Sequence, residues 1–354
     1  MRWVDAIARR LPASPAPVIL MYHRVASSEM DPWGLAVSPE NFASQMRALR
    51  KSRDVLRLGE FGRRWRDGSL SPRSVAITFD DGYACNALVA APILASHQLP
   101  GTFFLTTGMI GSDREFWNDE LERVVFDPAS GGCAEIQIGG TSVRVDLGKE
   151  TDLPETRRMW REIEPSRTIP QAVARRIGMN AGAYKPARTA RQSAYLSLWR
   201  ELKPLAPDEQ WRAIDAVAAQ VGSTAPPRAS HRAMTREEAR RMAALDIVEI
   251  GGHTVNHVSL PYWDRERQRR EISDSLDACE DISGRPASSF AYPYGDHSEV
   301  TLEVAADRSI QAACSTRALP VRRSANPLAL PRMQVLDWSG KELDRILGSF
   351  STKH

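Results

Sequence analysis

Three stretches in the first third of the chain are apolar without polar alternation: Val18–Val25, Ser74–Phe79 and Gly101–Thr107. Unbroken runs of this length predict strands covered on both faces, as in a parallel sheet. The segments between them have helical spacing. Ser38-Pro39-Glu40 supplies an N-cap with proline at the first helical position, and Phe42, Met46 and Leu49 follow on one face. Asn86–His97 puts Leu88, Ala91, Leu94 and Ala95 on another face, closed by Pro100-Gly101. The pattern is strand, helix, strand, helix, strand, which implies parallel pairing.

The middle breaks that rhythm. Glu135–Val145 alternates around Gly139-Gly140 and predicts a hairpin. Roughly Thr151 to Gly222 is rich in Arg, Ala and Glu, with helical periodicity in Tyr195, Leu198, Trp199 and Leu202 and again in Trp211, Ile214, Ala218 and Val221. Neither piece fits a short connection between strand and helix. The alternation resumes at Thr235, a capping-box start with Glu238. It continues through strand Ile247–Gly251, a helix over 264–282, strand Ser289–Tyr292, a helix from Glu299, strand Gln311–Ser315, the apolar piece Leu328–Val335 and a last helix over 341–350. Four regions follow: an N-terminal segment (1–17), a first α/β part (18–112), an insertion with the character of a lid (113–230) and a second α/β part (231–354). Six or seven parallel β/α units allow either a barrel or a doubly wound sheet.

Composition excludes some classes. With 354 residues, 42% of them hydrophobic and 26% charged, the chain can bury a sizeable core. A net charge of +3 without basic runs gives no reason to expect a nucleic-acid partner. Cys85, Cys133, Cys279 and Cys314 are scattered without a CxxC pair, as expected of reduced thiols in a cytoplasmic protein. No apolar run is long enough for a transmembrane helix or a secretory signal. Met1–Leu11 has amphipathic spacing, with Trp3, Ile7 and Leu11 on one side, so a terminal helix is expected there, packed on the protein or lying peripherally on the inner face of a membrane.

Three motifs fall where predicted strands end. Phe79-Asp80-Asp81-Gly82 places two adjacent carboxylates at the end of a buried strand, where one can hold a metal while the other stays free as a base. A helix-capping turn is the plainer reading of the same residues. His253-Thr254-Val255-Asn256-His257 follows a strand ending in glycines, and its i, i+4 spacing predicts two imidazoles on one face of a helical turn, able to chelate one ion. One carboxylate and two imidazoles, with positions left for water and substrate, describe a catalytic Zn²⁺-type centre. Ser289–Asp296 contains Pro293-Tyr294-Gly295, a turn able to aim a backbone N–H at a developing oxyanion.

Together these motifs resemble the polysaccharide deacetylases, the NodB-homology domain of carbohydrate esterase family four. Thr78-Phe79-Asp80-Asp81-Gly82 is similar to the family's TFDDG, His253–His257 to its H-[ST]-x-x-H, and Pro293-Tyr294-Gly295 to the end of its R-x-P-Y-G. The resemblance covers about 18–112 and 232–335. It implies a distorted (β/α) barrel of about seven strands in which Asp81, His253 and His257 hold a divalent metal, usually Zn²⁺, with Ni²⁺, Co²⁺ or Mn²⁺ as substitutes. It also implies Asp80 as general base and the backbone N–H of Tyr294 at the oxyanion. Tyr292 and Trp117 are assigned to substrate binding, Trp117 because aromatic residues near the start of the insertion can stack on a sugar.

Two positions depart from the family. The arginine of its third motif corresponds here to Ala291, and the late L-x-H that supplies its general acid corresponds to Leu330-Pro331-Arg332. Arg332 is therefore expected to pair with Asp80 in place of the lost arginine. The acid must then be another histidine. A lone histidine in an apolar strand is ordinarily a core residue, but His23 lies near the C-terminal end of the first strand. In some deacetylases of exported polysaccharides that share a Tyr-His pair there, this histidine is thought to replace the late one. His23 is placed first as the acid and His297 second. The implied reaction is metal-dependent removal of an N-acyl group, most simply N-acetyl, from an amino sugar of a surface glycan or its lipid-linked precursor. A silent carbohydrate-binding relative and an O-deacetylase are the alternatives.

Overall fold

The computed structural model describes residues 15–28, 30–138, 140–149 and 189–350. The helix predicted over Met1–Leu11 and part of the insertion lie outside these. The main sheet is parallel throughout: β1 (Val18–Tyr22), β2 (Asp54–Leu56), β3 (Ser74–Phe79), β4 (Gly101–Leu105), β5 (Val248–Gly252), β6 (Ser289–Ala291), β7 (Ala312–Cys314) and β8 (Met333–Gln334). Seven of these run in the order β7-β6-β5-β4-β3-β1-β8, and β2 pairs with the first half of β3. A parallel bridge from Cys314 to Leu330, just ahead of β8, brings the two ends of this path together. The fold is a distorted (β/α) barrel.

Strand parity explains what fills it. Val18, Leu20 and Tyr22 of β1 and Val75, Ile77 and Phe79 of β3 belong to a large outer cluster that includes Phe42, Met46 and Leu49. Those three lie on one face of α1 (Pro39–Ser52), whose N-cap Ser38 accepts a hydrogen bond from Asn41 N–H. Truncating a side chain buried as fully as Phe42 costs about 3–5 kcal/mol. Ile19, Ala76, Phe104, Ala291, Ala312 and Cys314 form a second, inner cluster with Leu58 and Phe61 of α2 (Leu58–Arg66). Successive side chains along a strand point to opposite faces, so the residues continuing the inner row are Met21 and His23 on the first strand and Thr78 and Asp80 on the third.

Four stretches differ from expectation. The strand foreseen over Val18–Val25 breaks at His23, because Arg24–Val25 leaves the sheet to pair with Ala36–Val37. Strand β2 and helix α2 were not foreseen: β2 is three residues long, and α2 carries two glycines that weaken its helical signal. Of Leu328–Val335, only Met333–Gln334 is strand. Helix α3 (Ala91–His97) precedes β4.

Between β4 and β5 stand α4 (Trp117–Val125), the hairpin Cys133–Ile138 with Thr141–Asp146, α5 (Ala190–Leu202) and α6 (Pro207–Val221). They share a separate apolar cluster around Leu121, Ile136, Tyr195, Leu198 and Ile214. After them come α7 (Arg236–Ala243), α8 (Arg265–Ser283), α9 (Glu299–Asp307) and α10 (Gly340–Ser349). Among the described residues, no helix is long and apolar enough to cross a membrane.

Candidate active site

The register of the sheet assembles the site. Tyr22 is level with Phe79, so the next residue on each strand, His23 and Asp80, emerge side by side, and Asp80 N–H donates to Tyr22 C=O. His23 Nε2 lies 4.0 Å from Asp80 Oδ2. Gly252 is level with both Leu105 and Phe290, which brings His253 to the mouth of the barrel beside Ala291.

The backbone is bent into sparsely populated conformations at these strand ends. Asp81 has φ +73°, and Gly82 N–H returns to Asp80 C=O at 2.9 Å, closing a γ-turn centred on Asp81. The turn separates the two carboxylates, one aimed into the barrel and the other towards the histidines. Thr254, His257 and Tyr294 also have positive φ. Four of the six non-glycine residues with this conformation among the described residues therefore sit in the three motifs. Such strain costs of order 1–3 kcal/mol per residue and persists where surrounding structure enforces it.

Asp80 is fully buried and held by Arg332, whose Nη1 and Nη2 donate to its two oxygens at 2.6 and 2.7 Å. Arg332 is itself wholly buried, donating also to Thr78 Oγ1 and to Ser315 C=O. Burial alone pushes the Asp80 carboxyl up, but the Arg332 guanidinium more than offsets this and holds it below its ordinary value. Leaving either charge of such a pair alone costs about 3–5 kcal/mol.

Asp81, His253 and His257 form a second buried cluster. His253 Nε2 and His257 Nε2 lie 3.3 and 3.1 Å from the same oxygen, Asp81 Oδ1. His253 Nδ1 donates to Ala291 C=O at 2.7 Å, which leaves Nε2 of the neutral ring with a lone pair. Burial pushes the His257 imidazole below its ordinary value despite Asp81 beside it. Three acceptors thus converge, and Asp81 Oδ1 has no hydrogen-bond donor. A carboxylate oxygen and two imidazole nitrogens so arranged fit a divalent cation of the zinc type.

The H-x-x-x-H spacing does not act through a helical turn, as the sequence predicted. His253–His257 is an irregular loop, bent by the positive φ of Thr254 and His257. Glu271 of α8 organises it, its carboxylate accepting from Val255 N–H, Asn256 N–H and Asn256 Nδ2 at 2.8–3.0 Å.

A cavity of about 300 Å³ joins the two clusters, and His23, Asp80, Asp81, His253, His257 and Tyr294 all line it. Tyr292 and Trp117 do not. Tyr292 has the parity of Phe290, so its side chain packs in the outer cluster and its hydroxyl donates to Leu328 C=O. Trp117 is buried and donates from Nε1 to Tyr294 Oη at 3.0 Å, supporting Tyr294 from behind. His297 packs on Tyr292, with Nδ1 bonded to Gly295 C=O. His231 accepts from Arg24 Nη1, and burial together with the Arg24 charge pushes it down to about 2. The indoles that do reach the cavity are Trp33 and Trp199, with Lys203 at the end of α5. Sequence reading assigned these no role.

The class of molecule is defined at this point: a (β/α) barrel with an Asp-His-His cluster and a separately held carboxylate at the C-terminal ends of its strands. The family model described as polysaccharide deacetylase matches residues 67–133 and 214–313. Residues 67–133 and 214–313 thus carry a polysaccharide deacetylase domain, and the unmatched stretch between them includes the hairpin, α5 and the start of α6. No curated sequence matches it. The deacetylase PplD of Streptococcus pyogenes, solved in complex with acetate, superposes with a TM-score of 0.56 at 18% identity, over 94% of this chain and 99% of that one. IcaB from Ammonifex degensii gives 0.53 at 16% identity, over 95% and 98%. These two likenesses show the shared fold.

Proposed function

We propose that the protein is a metal-dependent hydrolase that removes an N-acyl group, most simply N-acetyl, from an amino sugar of a surface glycan or its lipid-linked precursor. Asp81, His253 and His257 hold the cation, with Zn²⁺ the best match to one carboxylate and two imidazoles. A divalent ion held there lowers the pKa of water and polarises the acyl carbonyl. Asp80, kept ionised by Arg332, accepts the proton of the attacking water as its oxygen bonds to the acyl carbon. The backbone N–H of Tyr294 donates to the oxyanion that develops on the carbonyl oxygen. His23 delivers a proton to the sugar nitrogen as the carbon–nitrogen bond breaks, so the products are a free amine and a carboxylate. An amine leaves poorly without that proton, and the imidazole beside Asp80 therefore favours an amide over an ester.

The observation that carries this reading is the division of labour between adjacent carboxylates. Asp81 faces two imidazoles, while Asp80 is fixed 2.6 Å from a guanidinium. The test is metal analysis of the purified protein together with acetate release from N-acetylated sugars and lipid-linked precursors. The reading expects close to one divalent ion per chain and acetate release that is lost on chelation and regained on adding Zn²⁺. A protein that neither binds such an ion nor releases acetate or formate overturns it.

A further inference from the structure

The catalytic groups make up only part of the cavity lining. Two tryptophans from distant parts of the chain also line it, Trp33 in the loop after the first strand and Trp199 on α5. Their ring centroids are 5.0 Å apart and the planes are inclined at 44°. Both are only partly buried, and both line the cavity.

The two rings are held in place. Trp33 Nε1 donates to Tyr195 Oη at 2.8 Å. The carbonyls of Trp33 and Gly34 both accept from Gln334 Nε2, at 2.9 and 2.8 Å. Trp199 sits between Trp117, at 6.0 Å, and the edge of Tyr294, at 5.8 Å. One turn further along, Lys203 Nζ lies over both the Trp199 and Tyr294 rings and pairs with Asp296 at 2.6 Å. Aromatic surfaces fixed in advance lose little conformational entropy when a ligand covers them.

We propose that Trp33 and Trp199 form a stacking wall for a pyranose ring of the glycan, fixing the sugar whose N-acyl group enters the catalytic cluster. The inference rests on the deacetylase reading and assigns its binding subsite. A pyranose presents an apolar C–H face for the indoles and a rim of hydroxyls. Asn118, Lys203 and Gln334 stand around the same cavity as polar partners for that rim. Because Trp199 and Lys203 come from the segment between β4 and β5, that segment is part of the binding site. This reassigns sugar stacking from Trp117, which is buried behind Tyr294, to two residues with surface to offer.

The test is titration of metal-free protein with tetra-N-acetylchitotetraose, followed by calorimetry and by tryptophan fluorescence. Wild type is compared with Trp33→Ala, Trp199→Ala and the two phenylalanine counterparts, each first checked for an unchanged melting curve. Truncating an aromatic anchor is expected to raise Kd about tenfold or more, with phenylalanine restoring most of the loss. With metal-loaded enzyme, the same variants are expected to raise KM more than they lower kcat. Saccharide affinity unchanged in both alanine variants overturns the wall, as does wild type that binds no saccharide. Failure of wild type to release acetate while the titration still shows tryptophan-dependent binding overturns the deacetylase reading and leaves the wall standing.

Discussion

At the residue scale, the informative position is His23. In isolation, "VILMYHRV" offers a histidine among apolar residues, and nothing in the run distinguishes a core imidazole from a catalytic one. Register and parity place this one at the mouth of the barrel. The inner row of β1 leads to His23, the inner row of β3 leads to Asp80, and the two side chains meet at 4.0 Å. His23→Ala is expected to lower kcat by about 10²–10⁴-fold, the range for losing a general acid, with bound metal unchanged. Metal counting and steady-state rates check this, and a variant with normal turnover removes His23 from the role. Arg332 was legible as a departure, since an arginine stood where the related proteins have a histidine. Tyr292, chosen from its motif, does not line the cavity for a reason of geometry: strand parity turns its ring into the helical layer.

At the element scale, the loop that carries both histidines depends on a residue in another element. Its backbone takes positive φ at two non-glycine positions, and Glu271 satisfies two of its N–H groups and one side chain. Replacing Glu271 by Ala removes that anchor while leaving every proposed ligand in place. We expect metal affinity to fall by about 10–100-fold, as for other residues that orient ligands, measured by competition with a chromogenic chelator. Unchanged affinity means the loop holds its own shape. Glu271 left a trace in the sequence: it occupies the same face of α8 as Ile272, Ser275, Leu276 and Cys279, where a charge is costly unless paired. Strands β1 and β3 and helices α1 and α8 were readable because their periodicity runs over several turns or pairs. Strand β2 has three residues, and short pairings of this kind are set by tertiary contact.

At the scale of the whole molecule, the strand ends carrying His23, Asp80, His253 and Tyr294 are far apart in sequence and adjacent only because the sheet curls. The alternation of apolar runs allowed a barrel or an open sheet, and the motifs' resemblance favoured the barrel. What the sequence could not supply was the aromatic part of the cavity lining, Trp33 and Trp199. Trp199 reads as one more apolar position on a helix packing into its own cluster, and only the docking of α5 against Tyr294 and the Trp33 loop gives it another surface. The catalytic claim spans all three scales, because Asp80 must be oriented by Arg332, stand beside the Asp-His-His cluster and face a bound sugar. The most direct test compares acetate release from an N-acetylglucosamine oligomer by Zn²⁺-loaded wild type and Asp80→Asn, each shown to hold the same metal. The account predicts steady release by wild type and a loss of about 10²–10⁴-fold in the variant. Equal rates in the two proteins, or no release by either, would contradict it.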